Sequence, residues 1–164
     1  MFIVAYAFMY ALALIQLGAY VNELPATLAT HFARGGAPNG YMHKDSFILF
    51  YLGFMFFMPG VFFAVGSLVE KFPLLVNLPN KDYWLAPARR EASIRSLVHA
   101  VRLLGLMTGL FLIAVEQLII NANMLKPPRL DEQGTWVFMG VFVFSIISFL
   151  GWTLMRFRKP GKEP

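Results

Sequence analysis

The sequence predicts an all-α integral membrane protein, a bundle of four transmembrane helices with a structured extracytoplasmic loop after the first. Three observations predict it. Of 164 residues, 58% are hydrophobic and only 14% charged, with a mean hydropathy of +0.61, too few charges to solvate a water-soluble domain. Four long apolar runs lack a central charge, and each is near the ~20 residues that cross a hydrocarbon core of roughly 30 Å. None alternates with period two, and backbone amides in lipid must be satisfied within the segment, which favours helices over a β-barrel. The same composition, with 17 Phe, disfavours a disordered tail, a fibrous repeat or a nucleic-acid binder. The net charge of +5 is assigned to the anionic face of a membrane. With no cysteine, disulfides, iron–sulfur clusters, thiolate zinc sites and a Cys nucleophile are all excluded.

The chain reads as one membrane domain over 1–164. The first span covers about 2–21, with Gln16 its only strongly polar residue. It lacks a basic leader and exceeds the apolar core of a secretory signal, so it is expected to be retained. The second covers about 47–69, bounded by Lys44 and Asp45 before it and by Glu70 and Lys71 after it. Pro59 and Gly60 near its middle suit a bend, because proline removes a backbone donor, or simply reflect the greater frequency of both residues in membrane helices. The third covers about 97–120, with His99 and Arg102 near its start and Glu116 near its end. The fourth covers about 135–155, with Trp136 and Trp152 placed for the two aromatic belts.

Orientation follows from the bias of basic residues toward the cytoplasm. Lys71, Lys81, Arg89, Arg90, Arg95, Arg102, Arg156, Arg158, Lys159 and Lys162 fall on one side. Arg34, Lys44, Lys126 and Arg129 fall on the other, a ten-to-four split that puts both termini in the cytoplasm and the chain in the cytoplasmic (inner) membrane.

The loop over 22–46 is longer than a helical hairpin needs. Pro38-Asn39-Gly40 predicts a turn, since Pro presets φ and Asn and Gly tolerate the left-handed region. Leu24-Pro25, His31-Phe32, Gly36-Ala37-Pro38-Asn39-Gly40-Tyr41 and Lys44, in that order, resemble the domain of unknown function 1648 of SdpI-like multipass membrane proteins. Ala29 stands where that family often has Pro. The stretch from Asn77 to Glu91, which reads NLPNKDYWLAPARRE, is similar to the one that follows in the same family. The resemblance covers roughly the first 100 residues. It implies an integral membrane fold and, for one branch, an immunity-like role against a secreted peptide toxin. That branch usually carries further spans.

Several residues stand out within this frame. His31, Phe32, Asn39, Gly40, Tyr41 and Lys44 form a candidate surface for an extracytoplasmic peptide, protein or lipid partner. For His31, a structural or binding role, a pH-sensing role and a plain surface imidazole stay open; a metal shared with His43, Glu23 and Asp45 has no recognised zinc spacing behind it. Lys44 reads most simply as an interfacial anchor. Lys81, Tyr83, Trp84, Arg89 and Arg90 are candidates for lipid or cytoplasmic-partner contact, Tyr83 and Trp84 as an interfacial clamp. Pro87 suits the first position of a helix running into the third span, which places Arg89 and Arg90 in its first turn. There the helix dipole disfavours cations, so an anion is expected beside them: lipid phosphate, a partner's carboxylate, Asp82 or Glu91.

Glu91, Arg95, His99 and Arg102 share one helical stripe entering the third span. Arg102 either snorkels to lipid phosphate or, with Glu116, Gln117 and Asn121, lines an intramembrane cavity. Gly105 and Gly109 form a GxxxG that suits close helix approach, leaving room for a homo-oligomer. HExxH, GxSxG, a phosphate loop and a pair of intramembrane histidines are all missing, so neither enzyme activity nor a cofactor or metal is expected. The expectation is a binding or accessory module acting through the loop 22–46 on the lipid bilayer's outer side. The rival is a subunit of a transport assembly with a polar path through Glu116 and Arg102.

Overall fold

The computed structural model describes residues 1–158. Lys159 and Lys162, two of the ten basic residues on the side assigned to the cytoplasm, lie outside the described residues. Elements follow in the order α1 (Phe2–Tyr20), β1 (Thr27–Phe32), β2 (Pro38–His43), α2 (Lys44–Lys71), α3 (Lys81–Trp84), α4 (Arg90–Met124) and α5 (Glu132–Arg156). A short 3-10 turn, Pro73–Leu75, lies between α2 and α3. Among the described residues α1, α2, α4 and α5 are long and apolar enough to cross a membrane. They agree with the four expected spans, while α2 and α4 run beyond theirs because polar residues cap and extend them. At 35 residues, α4 is about 52 Å long, well over one hydrocarbon thickness.

Local chemistry explains the ends. At the start of α2, His43 caps the helix by accepting from the Asp45 N–H at 3.4 Å, while Asp45 in the first turn and Lys71 in the last complement its dipole. Helix α5 is capped by Asp131, whose carboxylate accepts from the Gly134 N–H at 3.0 Å. Helix α2 continues through Pro59 and Gly60, and the buried Pro59 faces α4.

One expectation about α4 is corrected. The helix begins at Arg90 with Arg89 as its cap, not at Pro87. The Ala86 carbonyl accepts the N–H groups of both Arg89 and Arg90 at 2.9 Å, closing a separate turn that holds Pro87 ahead of the helix.

The core lies between three helices. From α1 come Tyr6, Met9, Ala13 and Leu17, spaced three or four apart so that they form one stripe; Tyr51 and Met55 of α2 and Ile113 of α4 meet it. A second cluster of Leu24, Leu28, Phe47 and Ile120 joins the loop after α1 to the helix ends. Helix α5 stands outside: none of its residues is buried, and it meets α4 through Phe111, whose ring stacks on Phe142 at 3.9 Å and Phe138 at 5.4 Å. The expected four-helix bundle is thus a three-helix core with a peripheral fourth. The small residues explain this, because Gly105 and Gly109 of α4 face α1 and α2, whereas a Cβ on Gly140 or Gly151 of α5 would meet nothing within 4 Å.

The all-α expectation also needs correction, since the loop after α1 is an antiparallel β-hairpin. Its register runs from Thr27 opposite His43 to Phe32 opposite Pro38, with an irregularity around His31. The reversal is at Gly35 and Gly36, with φ of 86° and 76°, and not at Pro38-Asn39-Gly40, which lies in β2. Two consecutive positive φ values suit glycine pairs best. Gly40 serves the strand differently, because a Cβ there would lie 2.8 Å from the His31 Cβ.

Candidate functional site

At the hairpin end the structure brings together some of the expected residues. Asn39, Tyr41 and His43 alternate along β2 as its exposed side chains. His31 joins them across the strands, its Nδ1 lying 2.6 Å from the Asn39 Oδ1, and Tyr41 is 60% exposed beside the pair. Gly40 allows that approach from the opposite strand. Phe32 departs from the group, half-buried in a separate groove with Leu130 and Trp136. Lys44 departs too: its Nζ donates to the Val21 carbonyl at 3.3 Å, tying the end of α1 to the start of α2. Its ammonium satisfies a free carbonyl at a helix C-terminus, a use closer at hand than solvent or lipid. His31 and His43 sit at opposite ends of the hairpin, and among the described residues no three His, Cys, Asp or Glu gather as metal ligands.

What holds this surface in place escaped the sequence reading. Asn123, buried near the end of α4, acts as a third strand for one residue. Its Oδ1 accepts from the Ala29 N–H at 2.8 Å and its Nδ2 donates to the Ala29 carbonyl at 2.8 Å and to the Ile119 carbonyl at 2.9 Å. Ala29 is 1% exposed, so these bonds satisfy a backbone that water cannot reach. At the hairpin tip the Gly35 N–H donates to the Glu132 carboxylate at 2.7 Å, and the Leu130 N–H donates to the Gly36 carbonyl at 3.0 Å. The available signal was an amide in the last turn of an apolar helix, but its partner lies 94 residues away.

The opposite end is closed by its own residues. The Trp84 Nε1 and Asn80 Nδ2 both donate to the Phe157 carbonyl, at 2.7 and 3.2 Å, and the Trp84 ring meets the buried Phe157 ring edge-on at 5.6 Å. Lys81 donates to the Leu74 carbonyl at 2.5 Å. Arg89 donates to the Tyr83 carbonyl at 3.1 Å and lies over the Tyr83 ring at 3.9 Å. Through these contacts the motif pins the loop to the end of α5, and Arg89 sits on a carbonyl and a ring of its own loop. Arg90 remains open, lining a cleft of about 570 Å3 between α2 and α4.

Glu91 and Arg102 face that same cleft, and Arg95 and His99 stand between it and the groove on the α5 side of α4. Glu91 pairs with Arg95 at 2.5 Å, and Arg102 pairs with Glu70 of α2 at 3.1 Å while lying over the Phe63 ring at 4.9 Å. A carboxylate on the adjacent helix thus lies within reach of the Arg102 stem and shares its charge.

Glu116 is 1% exposed, and its buried carboxylate on α4 faces the Tyr51 hydroxyl of α2. The side-chain oxygen of Gln16 is unpaired among the described residues, although Gln16 donates to Gln117 at 2.8 Å and Gln117 to Asn121 at 2.8 Å. The structure does not unite Glu116 with Arg102. Between them Tyr6, Met9 and Pro59 close on Gly105 and Gly109, and the Tyr6 hydroxyl donates to the Arg102 carbonyl at 2.9 Å. The GxxxG is consequently occupied within the chain. No family model, curated protein or solved structure matches the sequence.

Proposed function

We propose that this chain is a multi-pass membrane protein that works by contact, recognising an extracytoplasmic peptide or protein through the exposed face of its hairpin. The reading takes both termini as cytoplasmic, and the resemblance to SdpI-like proteins makes an immunity-like or accessory role its natural setting. One observation carries it. His31, Asn39 and Tyr41 are exposed together on a hairpin whose rear strand is bonded to α4 and whose tip is bonded to the start of α5. A surface held in one conformation before encounter loses less entropy on binding.

The test places a photo-crosslinking residue at Tyr41 and reads what it captures in membranes of the producing cell. His31→Ala and Asn39→Ala are expected to lower capture at least about tenfold, equivalent to about 1.4 kcal/mol, without moving the thermal midpoint. Capture unchanged in both variants, with the fold intact, would move recognition away from this face.

Glu116 favours the transport reading as a second possibility to be tested, because an ionisable group buried in a span is costly and by default suggests function. Under the contact reading Glu116→Gln leaves capture intact and stability equal or higher, since a neutral amide has no charge to desolvate. Loss of a measured proton or solute flux in that variant would favour transport instead. The closed seam at Gly105 and Gly109 stands against a continuous path.

A further inference from the structure

The peripheral position of α5 leaves a groove of about 650 Å3 between it, the start of α1 and the first half of α4. Its apolar wall includes Leu103 and Leu106 from α4 and Phe149 from α5. At one end the exposed Arg95 and Arg156 stand on opposite sides, with His99 between them and the wall. Arg156 makes no ion pair among the described residues and lies 6.0 Å from the Trp152 ring, while Arg95 shares Glu91. The end is therefore cationic in excess. From Arg95 to Leu106 the helix rises about 16 Å, half of a hydrocarbon core of roughly 30 Å. A groove charged at its mouth, apolar below and one leaflet deep matches a lipid in both chemistry and length.

We infer that the groove between α1, α4 and α5 is a binding site for one anionic phospholipid, its phosphate held by Arg95 and Arg156 and an acyl chain lying along Leu103, Leu106 and Phe149. Guanidinium groups present paired donors that match phosphate oxygens, which sets this occupant apart from an ordinary annular lipid. The chain then fills the space that keeps α5 from the three-helix core. This assignment is independent of the hairpin's role.

Native mass spectrometry of the full chain in mild detergent tests it, with equal amounts of phosphatidylglycerol and phosphatidylcholine of matched acyl chains. The wild type should retain one phosphatidylglycerol with about thirtyfold preference, the scale expected for two arginines near a phosphate. Arg95→Gln with Arg156→Gln should abolish the preference at unchanged helix content by circular dichroism. Should that double variant fail to fold, Arg156→Gln alone, at the exposed end of α5, is expected to reduce the preference about fivefold. Leu103→Trp should reduce retention of both lipids by filling the apolar part. Equal retention of the two lipids by the wild type, a preference that survives loss of the arginines, or a lipid-free dimer would each overturn the assignment.

Discussion

Replacing Asn123 by Ala is expected to release the hairpin from the helices and to cost about 2–6 kcal/mol of stability. The amide serves both polar groups of Ala29, at 2.8 Å each, in a position that is 1% exposed. Truncation leaves a buried N–H and a buried carbonyl without partners, each worth about 1–3 kcal/mol. Nothing nearby replaces them, because the surrounding cluster of Leu24, Leu28, Phe47 and Ile120 is apolar. The thermal midpoint in detergent should fall. Trypsin should also begin to cut at Arg34, which is exposed in the turn and held in the wild type by its docked neighbours Gly35 and Gly36. Capture by the crosslinker at position 41 should weaken in parallel, since the recognising face loses its support. A midpoint and a cleavage rate both matching the wild type would show that the hairpin stands without this amide.

The second large effect is expected at Gly105. A Cβ there would overlap the Tyr6 hydroxyl, lie 2.7 Å from the Phe62 Cβ and lie 3.2 Å from the Pro59 carbonyl. The Tyr6 hydroxyl can swing aside, but only by giving up its bond to the Arg102 carbonyl at 2.9 Å. The Phe62 Cβ and the Pro59 backbone move only with α2 itself. Gly105→Val should therefore destabilise the core by about 1–3 kcal/mol from overpacking, plus about 1 kcal/mol for the lost hydrogen bond. Gly140→Ala is the control, because its Cβ enters open space within a helix, where Ala is favoured over Gly by about 1 kcal/mol. Midpoints of the two variants in the same detergent should move in opposite directions. A Gly105→Val chain that keeps its monomer stability but loses a dimer would place this seam between copies.

The helices were legible because a span announces itself through neighbours in sequence. The apolar runs before Val21, around Met55, around Ile113 and around Phe144 each lie within one helix. The hairpin was less so. Gly35-Gly36 and Pro38-Asn39-Gly40 are both able to turn, and the choice between them depends on Leu130 and Glu132 receiving the first. Arg102 posed the same problem in another form: its position in the span was readable, while its pairing with Glu70 depends on which face of α2 meets α4. Trp84 was readable as an aromatic in the loop between two spans, while its bond to the Phe157 carbonyl joins residues 73 apart in the chain.

Hydrophobic length, charge asymmetry and the absence of cysteine are properties of the chain as written, so by itself the sequence determined that four helices are long and apolar enough to cross a membrane, and it singled out the polar residues worth following. Only the tertiary structure decided that three of those helices form the core, that Gly105 and Gly109 are used internally, and that Asn123 anchors the hairpin. Those outcomes depend on steric fit and on donors meeting acceptors across distant segments, and hydrogen bonds act over about 3 Å in space regardless of separation along the chain.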